Sequence, residues 1–365
     1  MPGELFRWGI FGTGSISMKF VAGLASARDA KATLVASRSL ATAQRFATSM
    51  GIERAIEGYA EAAAAGGVDA VYVATPPSEH ASHALSCIEA GIPVLVEKPF
   101  AATADEARRI AEAARERGVF AMEGMWTRFL PAAQALRAAT LDGTIGEVRV
   151  VSGSFGSSAT PDPASGKFDP ARGGGAVAHL GAYPLSLGQW LFGTPDRLQA
   201  VGSIGDTGVD EEAAFELQYP NGVIGSFFVS IRSWAPDDFR VMGTDGMISV
   251  RGSIVRPHGL DIVRQPPLRT QPPRFGTVDK LRQHPWVHQV AQRVDRSSRR
   301  RGEHHAHHYR GTGYHYEADE VRSCVERGQT ESSVMPLDDS IEVAGMADSI
   351  RHSIHVQAGA SEGTT

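Results

Sequence analysis

Residues 5–17 read Leu5-Phe6-Arg7-Trp8-Gly9-Ile10-Phe11-Gly12-Thr13-Gly14-Ser15-Ile16-Ser17. An apolar, β-type run leads directly into a G-x-G-x-x-small string, after which Ile16, Phe20 and Leu24 recur at helical spacing. Strand, glycine turn and helix in that order open a dinucleotide-binding unit. Gly12 permits the tight turn, Gly14 lets the backbone approach a pyrophosphate, and Ser17 is small enough for the helix to pack on the strand. Free N–H groups at the helix start and the helix dipole then hold the anion. The expected cofactor contacts in this stretch are Gly12, Thr13, Gly14, Ser15 and Ile16.

Outward from this stretch the alternation continues to residue 125. Short apolar runs at 33–37, 69–75, 92–97 and 119–125 are separated by Ala-rich helical segments such as 39–50 and 103–117. Gly51, Gly91 and Gly118 stand where helices should stop. Runs without polar alternation suit strands buried on both faces, so the expected fold is α/β with a doubly wound parallel sheet. Beyond 125 the rhythm changes. Strands are expected at 147–155, 198–204, 213–219, 223–231, 239–243 and 247–251, with Asn221-Gly222 and Asp245-Gly246 as hairpin turns. A helical segment, 175–192, is inserted after the first of them. That pattern predicts a second, α+β domain with an open, mainly antiparallel sheet. The expected division is 1–125 and 126–365, with 263–312 as a long Arg-, His- and Pro-rich excursion and helices near 314–327 and 337–352.

Bulk properties narrow the function. A chain of 365 residues allows two domains, and 36 basic against 41 acidic side chains leave a net charge of −5. Neither nucleic acid nor an anionic membrane is favoured as a partner. Two cysteines, Cys87 and Cys324, exclude a disulfide scaffold and a multi-cysteine metal centre. No basic segment with a cleavable apolar core opens the sequence, and no apolar run reaches the ~20 residues of a membrane span. A cytoplasmic location is expected.

The end of the second expected strand bears on which dinucleotide binds. NAD sites place a carboxylate there for the ribose hydroxyls, whereas this chain has Ser37-Arg38-Ser39. A guanidinium flanked by hydroxyls suits a 2′-phosphate, so Ser37 and Arg38 point to NADP over NAD. The fifth expected strand ends in Glu97-Lys98-Pro99, which delivers Lys98 to the crevice at the strands' carboxyl ends.

Together with Thr75-Pro76-Pro77-Ser78-Glu79-His80, Met125-Trp126-Thr127-Arg128-Phe129, Gly173-Gly174-Gly175-Ala176 and Gly313-Tyr314-His315-Tyr316-Glu317, these pieces resemble the GFO/IDH/MocA oxidoreductases over nearly the whole chain. The resemblance is strongest to the branch of dimeric dihydrodiol dehydrogenases, NADP-dependent xylose dehydrogenases and glucose–fructose oxidoreductase. It implies an N-terminal Rossmann domain, an open C-terminal sheet, a nicotinamide ring held between them, and a homodimer or homotetramer. It also implies cofactor contacts at Thr75, Pro76, Pro77, His80, Glu97 and Lys98. Trp126 and Arg128 would lie at the domain junction, walling the nicotinamide pocket or bridging the halves by a salt bridge. Tyr183 falls on the family's acid–base position, and His179 replaces the branch's usual Asp.

Alcohol oxidation removes a hydride from carbon and a proton from oxygen. A phenol is a poor base near neutrality unless a neighbouring cation stabilises the phenolate. Lys98 is therefore expected to lower the Tyr183 pKa and to bind the substrate oxygen, with Tyr183 moving the proton. His179, four residues from Tyr183 and beside a lysine, is expected to be neutral and either to contact a neighbouring hydroxyl, to relay the proton to water or to serve a structural role; Ser154 and Ser157 are expected to address further hydroxyls. The implied reaction interconverts a secondary alcohol or hemiacetal with a carbonyl, on a carbohydrate, cyclic polyol or diol. Dihydrodiol oxidation, redox-assisted glycoside processing with a retained cofactor, and a non-catalytic NADP-sensing regulator are the alternatives. The histidines at 284, 288, 304, 305, 307 and 308 read as a solvated, mobile stretch, because Arg299–Arg301 oppose a cation and no metal site is completed.

Overall fold

The computed structural model describes residues 4–265 and 302–362. In the first sheet lie β1 (Phe6–Phe11), β2 (Ala30–Ser37), β3 (Arg54–Glu57), β4 (Ala70–Val73), β5 (Val94–Glu97) and β6 (Ala121–Gly124), ordered β3-β2-β1-β4-β5-β6. Every pair is parallel. Alternate residues of β1 serve opposite faces: Trp8 and Ile10 join one apolar core with Phe20 and Tyr72, and Phe11 joins another with Leu34 and Val73. That two-sided burial is why the strands carry no polar alternation. Strand β3, short and half-buried with a charged residue at each end, escaped the sequence reading.

The helices are α1 (Ser15–Leu24), α2 (Leu40–Met50), α3 (Tyr59–Ala65), α4 (Pro77–Glu89) and α5 (Ala104–Arg117). Because β1 neighbours both β2 and β4, the order reverses between β1 and β4, and a crevice opens beyond their carboxyl ends.

The second sheet contains β7 (Val148–Gly156), β8 (Arg197–Ile204), β9 (Asp210–Gln218), β10 (Ile224–Ser230), β11 (Asp238–Gly243), β12 (Gly246–Gly252), β13 (Pro257–Arg264) and β14 (Glu303–Ala306). Its order is β14-β13-β12-β11-β7-β10-β9-β8, antiparallel except for the β7–β10 pair. Phe215, Leu217, Phe227 and Val229 point into the core, whereas Glu216 and Phe228 point out. Between β7 and β8 lie a π-helical turn (Val177–Gly181) and α7 (Ala182–Phe192); α6 (Pro131–Leu141) precedes β7.

Two expectations change here. Residues 257–264 and 303–306 are strands, so part of the expected excursion extends the sheet. His304 and His305 sit on its edge strand, with His304 Nδ1 2.5 Å from Asp261 Oδ1, and not in a mobile loop. His284, His288 and Arg299–Arg301 lie outside the described residues, and among the described residues no cluster suited to a metal ion occurs.

The final helices, α8 (His315–Glu326) and α9 (Leu337–Glu362), tie the sheets together. Arg322 donates to the carbonyls of Glu4, Arg28 and Asp29 beside β1. In α9, Asp348 accepts from Ala104 N at 2.8 Å, and Gln357 donates to Ala200 O at 2.9 Å in the other sheet. No helix among the described residues is long and apolar enough to cross a membrane.

Candidate active site

Two adjoining clefts open at the carboxyl ends of the parallel strands. The first, of about 570 Å³, is lined by Gly12–Ile16, Ser37, Arg38, Thr75, Pro76 and Pro77, with Ser39 and Thr42 also in its wall. Gly12 has φ +105°, and a Cβ there would come within 2.5 Å of Ala74 O. The turn therefore needs glycine both for its dihedral and for its close approach to the β4–α4 connection. At Gly14 a Cβ would meet nothing within 4 Å. The space above Gly14 is the cleft, and α1 begins there with no side-chain cap on its N-terminus. Arg38, Lys167 and Arg172 line this cleft, and among the described residues no carboxylate does. That lining fits the pyrophosphate and 2′-phosphate of NADP.

The second cleft, of about 430 Å³, shares Ser15, Ile16, Thr75, Pro77 and His179 with the first. It adds His80, Glu97, Lys98, Trp126 and Tyr183, together with Lys19, Val255, Arg256 and Tyr314. Glu97 ends β5 with its carboxylate turned inward: Oε1 accepts from Tyr72 Oη at 2.6 Å and Oε2 from the Lys98 N–H at 2.9 Å. The backbone that presents Lys98 is thereby fixed. His80 lies between Pro99 O and Thr75 O, at 2.8 Å from each, and spans the two loops that carry Lys98 and Thr75. Burial pushes its pKa down to about 4, so the ring is neutral and donates to one carbonyl at a time.

Lys98 Nζ donates to the backbone carbonyl of His179 at 2.8 Å and stands 4.8 Å from the centre of the Tyr183 ring. Burial pulls the lysine pKa down, against the carboxylates of Glu97 and Glu123. His179 is pushed to about 4 by burial, with the charges of Lys98 and Lys167 adding to it, so its imidazole is neutral.

Tyr183 departs from expectation. Burial, reinforced by the Glu97 carboxylate, pushes its pKa up, while Trp126 and Arg256 act in the opposite sense. The expected lowering by Lys98 does not appear; its ammonium stands over the ring in a cation–π contact. In the protein alone the phenol keeps its proton.

Three other expectations are corrected. Arg128 lines neither cleft: it is fully buried, donates to Ser186 Oγ, Ser186 O and Val334 O, and pairs with Asp339 at 2.6 Å. It bridges the start of α6 to α7 and α9, which leaves Trp126 alone of that pair at the cleft. Ser154 donates to Asp238, and Ser157 accepts from Lys167, so neither lines the reaction cleft.

Sequence reasoning missed Lys19, Arg256, Lys167 and Arg172. Lys19 had a signal, since it stands one helical turn beyond Ser15 on the same face of α1. The other three come from loops whose approach no spacing announces. Glu317, quoted in the sequence only as part of a motif and given no role, is fully buried beside Gly124, and both carboxyl oxygens lack a partner among the described residues.

The description "Oxidoreductase family, NAD-binding Rossmann fold" matches residues 6–125, and "GFO/IDH/MocA C-terminal domain" matches residues 133–249. The chain is 34% identical over 354 residues to trans-1,2-dihydrobenzene-1,2-diol dehydrogenase of Mus musculus, covering 96% of this chain and 97% of that protein. The Homo sapiens enzyme of the same name is 32% identical over 360 residues, with the same coverage. Among solved structures, levoglucosan dehydrogenase superposes with a TM-score of 0.80 at 19% identity, covering 96% of this chain and 97% of that one. The 3-ketoreductase KijD10 of Actinomadura kijaniata superposes with a TM-score of 0.78 at 22% identity, covering 96% of this chain and 98% of that one. These two establish the shared fold. With both halves matched and full-length relatives above 30% identity, the chain belongs to the GFO/IDH/MocA family of oxidoreductases.

Proposed function

We propose that the protein is an NADP-dependent dehydrogenase or reductase that interconverts a secondary alcohol or hemiacetal with its carbonyl, on a sugar, cyclic polyol or diol. The observation that carries this reading is the meeting of Lys98 and Tyr183 in a cleft that shares a wall with the nucleotide cleft. When bound, the nicotinamide supplies or accepts the hydride. Gly12–Ile16 hold the pyrophosphate, and Ser37 and Arg38 the 2′-phosphate, which favours NADP over NAD. Lys98 Nζ hydrogen-bonds the substrate oxygen and polarises it. Tyr183 Oη, protonated in the protein alone, gives its proton to that oxygen during reduction and recovers it during oxidation. Neutral His179 orients an adjacent hydroxyl.

A second reading, trans-dihydrodiol oxidation, uses the same groups. The dehydrogenases named for that substrate and the aromatic wall formed by Trp126 and Tyr314 both support it. Two buried, unpaired cysteines accord with a cytoplasmic protein. The outward sheet face carrying Val201, Ile224 and Phe228 suits a homodimer or homotetramer, with the halves divided at 125/126.

The test is an NADPH absorbance assay in both directions over aldoses, ketoses, inositols and trans-diols, with Lys98→Met and Tyr183→Phe in parallel. Turnover that collapses in both variants supports the reading. Near-normal turnover in both, or none in the parent protein, rejects it.

A further inference from the structure

The reaction cleft is more cationic than the reaction requires. Lys98, Lys19 and Arg256 line it, and its one lining carboxylate, Glu97, already accepts from Tyr72 and the Lys98 backbone. Lys98 has its own acceptor in the His179 carbonyl. Among the described residues neither Lys19 nor Arg256 forms an ion pair with a carboxylate, although Lys19 is close enough to Glu97 for its charge to favour that carboxylate.

Arg256 is held in place without being neutralised. It closes the turn between β12 and β13, where its N–H donates to Ser253 O at 3.0 Å. The neighbouring Val255 carbonyl accepts from Thr127 Oγ1 at 3.0 Å, which pins the turn against the Trp126–Phe129 segment. The guanidinium lies over the Trp126 ring at 5.4 Å, and Trp126 in turn stacks on Tyr314 at 4.4 Å with the rings 8° apart. Among the described residues the guanidinium donates to no side-chain or backbone acceptor, so its N–H fork is left for two-point capture of a carboxylate or phosphate. Arg256 and Tyr183 line the same cleft, and the guanidinium charge acts to favour the phenolate.

The cofactor's phosphates do not account for Arg256. The cleft of Gly12–Ile16 and Arg38 has its own cations in Lys167 and Arg172, whereas Arg256 lies on the side of Trp126 and Tyr183. We infer that Arg256, assisted by Lys19, forms an anion subsite, and that the substrate carries a carboxylate or phosphate in addition to the hydroxyl or carbonyl that reacts. The inference rests on the sugar or polyol reading above and narrows it to acidic or phosphorylated members.

Its test is binding. The NADP-loaded protein is titrated with D-glucose, D-glucuronate and D-glucose 6-phosphate, followed by calorimetry and by the fluorescence of Trp126. At least one anion should bind about tenfold or more tightly than D-glucose, with a margin that shrinks as salt rises. The margin should disappear in Arg256→Gln, shrink in Lys19→Gln and survive in part in Arg256→Lys. Which anion wins tells a carboxylate substrate from a phosphate ester. Equal binding of all three, no binding of either anion, or a margin that persists in both glutamine variants would overturn the subsite. If Arg256→Gln does not fold, the parent protein's salt dependence and Lys19→Gln decide. A parallel NADPH assay separates the two claims. Anion preference without turnover of any carbonyl or polyol rejects the proposed reaction and leaves the subsite. Turnover of neutral sugars without anion preference does the reverse.

Discussion

The ammonium of Lys98 donates to the backbone carbonyl of His179 at 2.8 Å. That carbonyl belongs to a π-helical turn, Val177–Gly181, in which the donor spaced five residues on would be Pro184. Proline has no N–H, so a bond of π spacing to this carbonyl is ruled out, and the carbonyl accepts from the lysine. The turn also leads into Tyr183, whose ring the same ammonium covers. A local irregularity of one helix thus joins a strand end of the first sheet to the helix beside the second.

Lys98→Met and Tyr183→Phe should each lower turnover by about 10²–10⁴-fold, the usual range for removing a positioned acid–base group. Cofactor affinity, followed by NADPH fluorescence, should change far less. Because burial holds Tyr183 protonated, oxidation should speed up as pH rises through the alkaline range and reduction should be favoured at lower pH. A pH profile of both directions checks the sign, and Tyr183→Phe should flatten it.

Arg38→Asp should weaken NADP⁺ binding by roughly 10–100-fold, the effect of removing charge-assisted hydrogen bonds worth about 1.5–3 kcal/mol. The introduced carboxylate should improve NAD⁺ binding. Calorimetric titration with both nucleotides reads the exchange, and unchanged NADPH affinity would refute the assignment of the 2′-phosphate to Arg38.

Arg128→Met should destabilise the fold by about 3–5 kcal/mol, because it strands the Asp339 carboxylate and two carbonyls that the buried guanidinium satisfies. Arg128→Lys should recover only part of this, since an ammonium lacks the planar fork. Denaturant melts measure both. Cofactor affinity in the folded fraction should stay close to that of the parent protein, in keeping with a residue that lines neither cleft.

Glu317→Gln should stabilise the protein increasingly as pH rises. Burial, with the Glu97 carboxylate adding to it, pushes the Glu317 pKa well up. The folded protein therefore holds a proton that the unfolded chain releases near pH 4.5. Stability from this group is fully present below that pH and is lost as pH rises through the folded-state value. Glutamine mimics the protonated carboxyl, so its melting advantage should widen as pH rises above about 4.5.

Strand β1, the glycine turn and α1 were legible in the sequence because each rests on contacts local in the chain: an apolar run, a positive φ at Gly12, a helical repeat. Glu97-Lys98-Pro99 was legible for the same reason, since a strand end in a doubly wound sheet faces the crevice wherever the strand lies. Strand β14 was not. Glu303, His304, His305 and Ala306 are exposed and carry no alternation; they form a strand only because the edge of β13 is there to pair with. Arg128 was ambiguous for a related reason: a guanidinium at a junction reads alike whether it faces a ligand or four acceptors of the protein itself.

From the order of its residues alone, this protein was committed to a parallel sheet followed by a mainly antiparallel one, a nucleotide turn at Gly12–Ile16, and a lysine at the crevice. Those features depend on side-chain size, backbone freedom and periodicity, which are properties of neighbours in the chain. Folding alone decided that the Lys98 ammonium covers the face of Tyr183, that the phenol keeps its proton, and that Arg256 reaches the reaction cleft on a stack of Trp126 and Tyr314. Each depends on distance and burial among segments far apart in sequence, and charge interactions take their strength from those quantities.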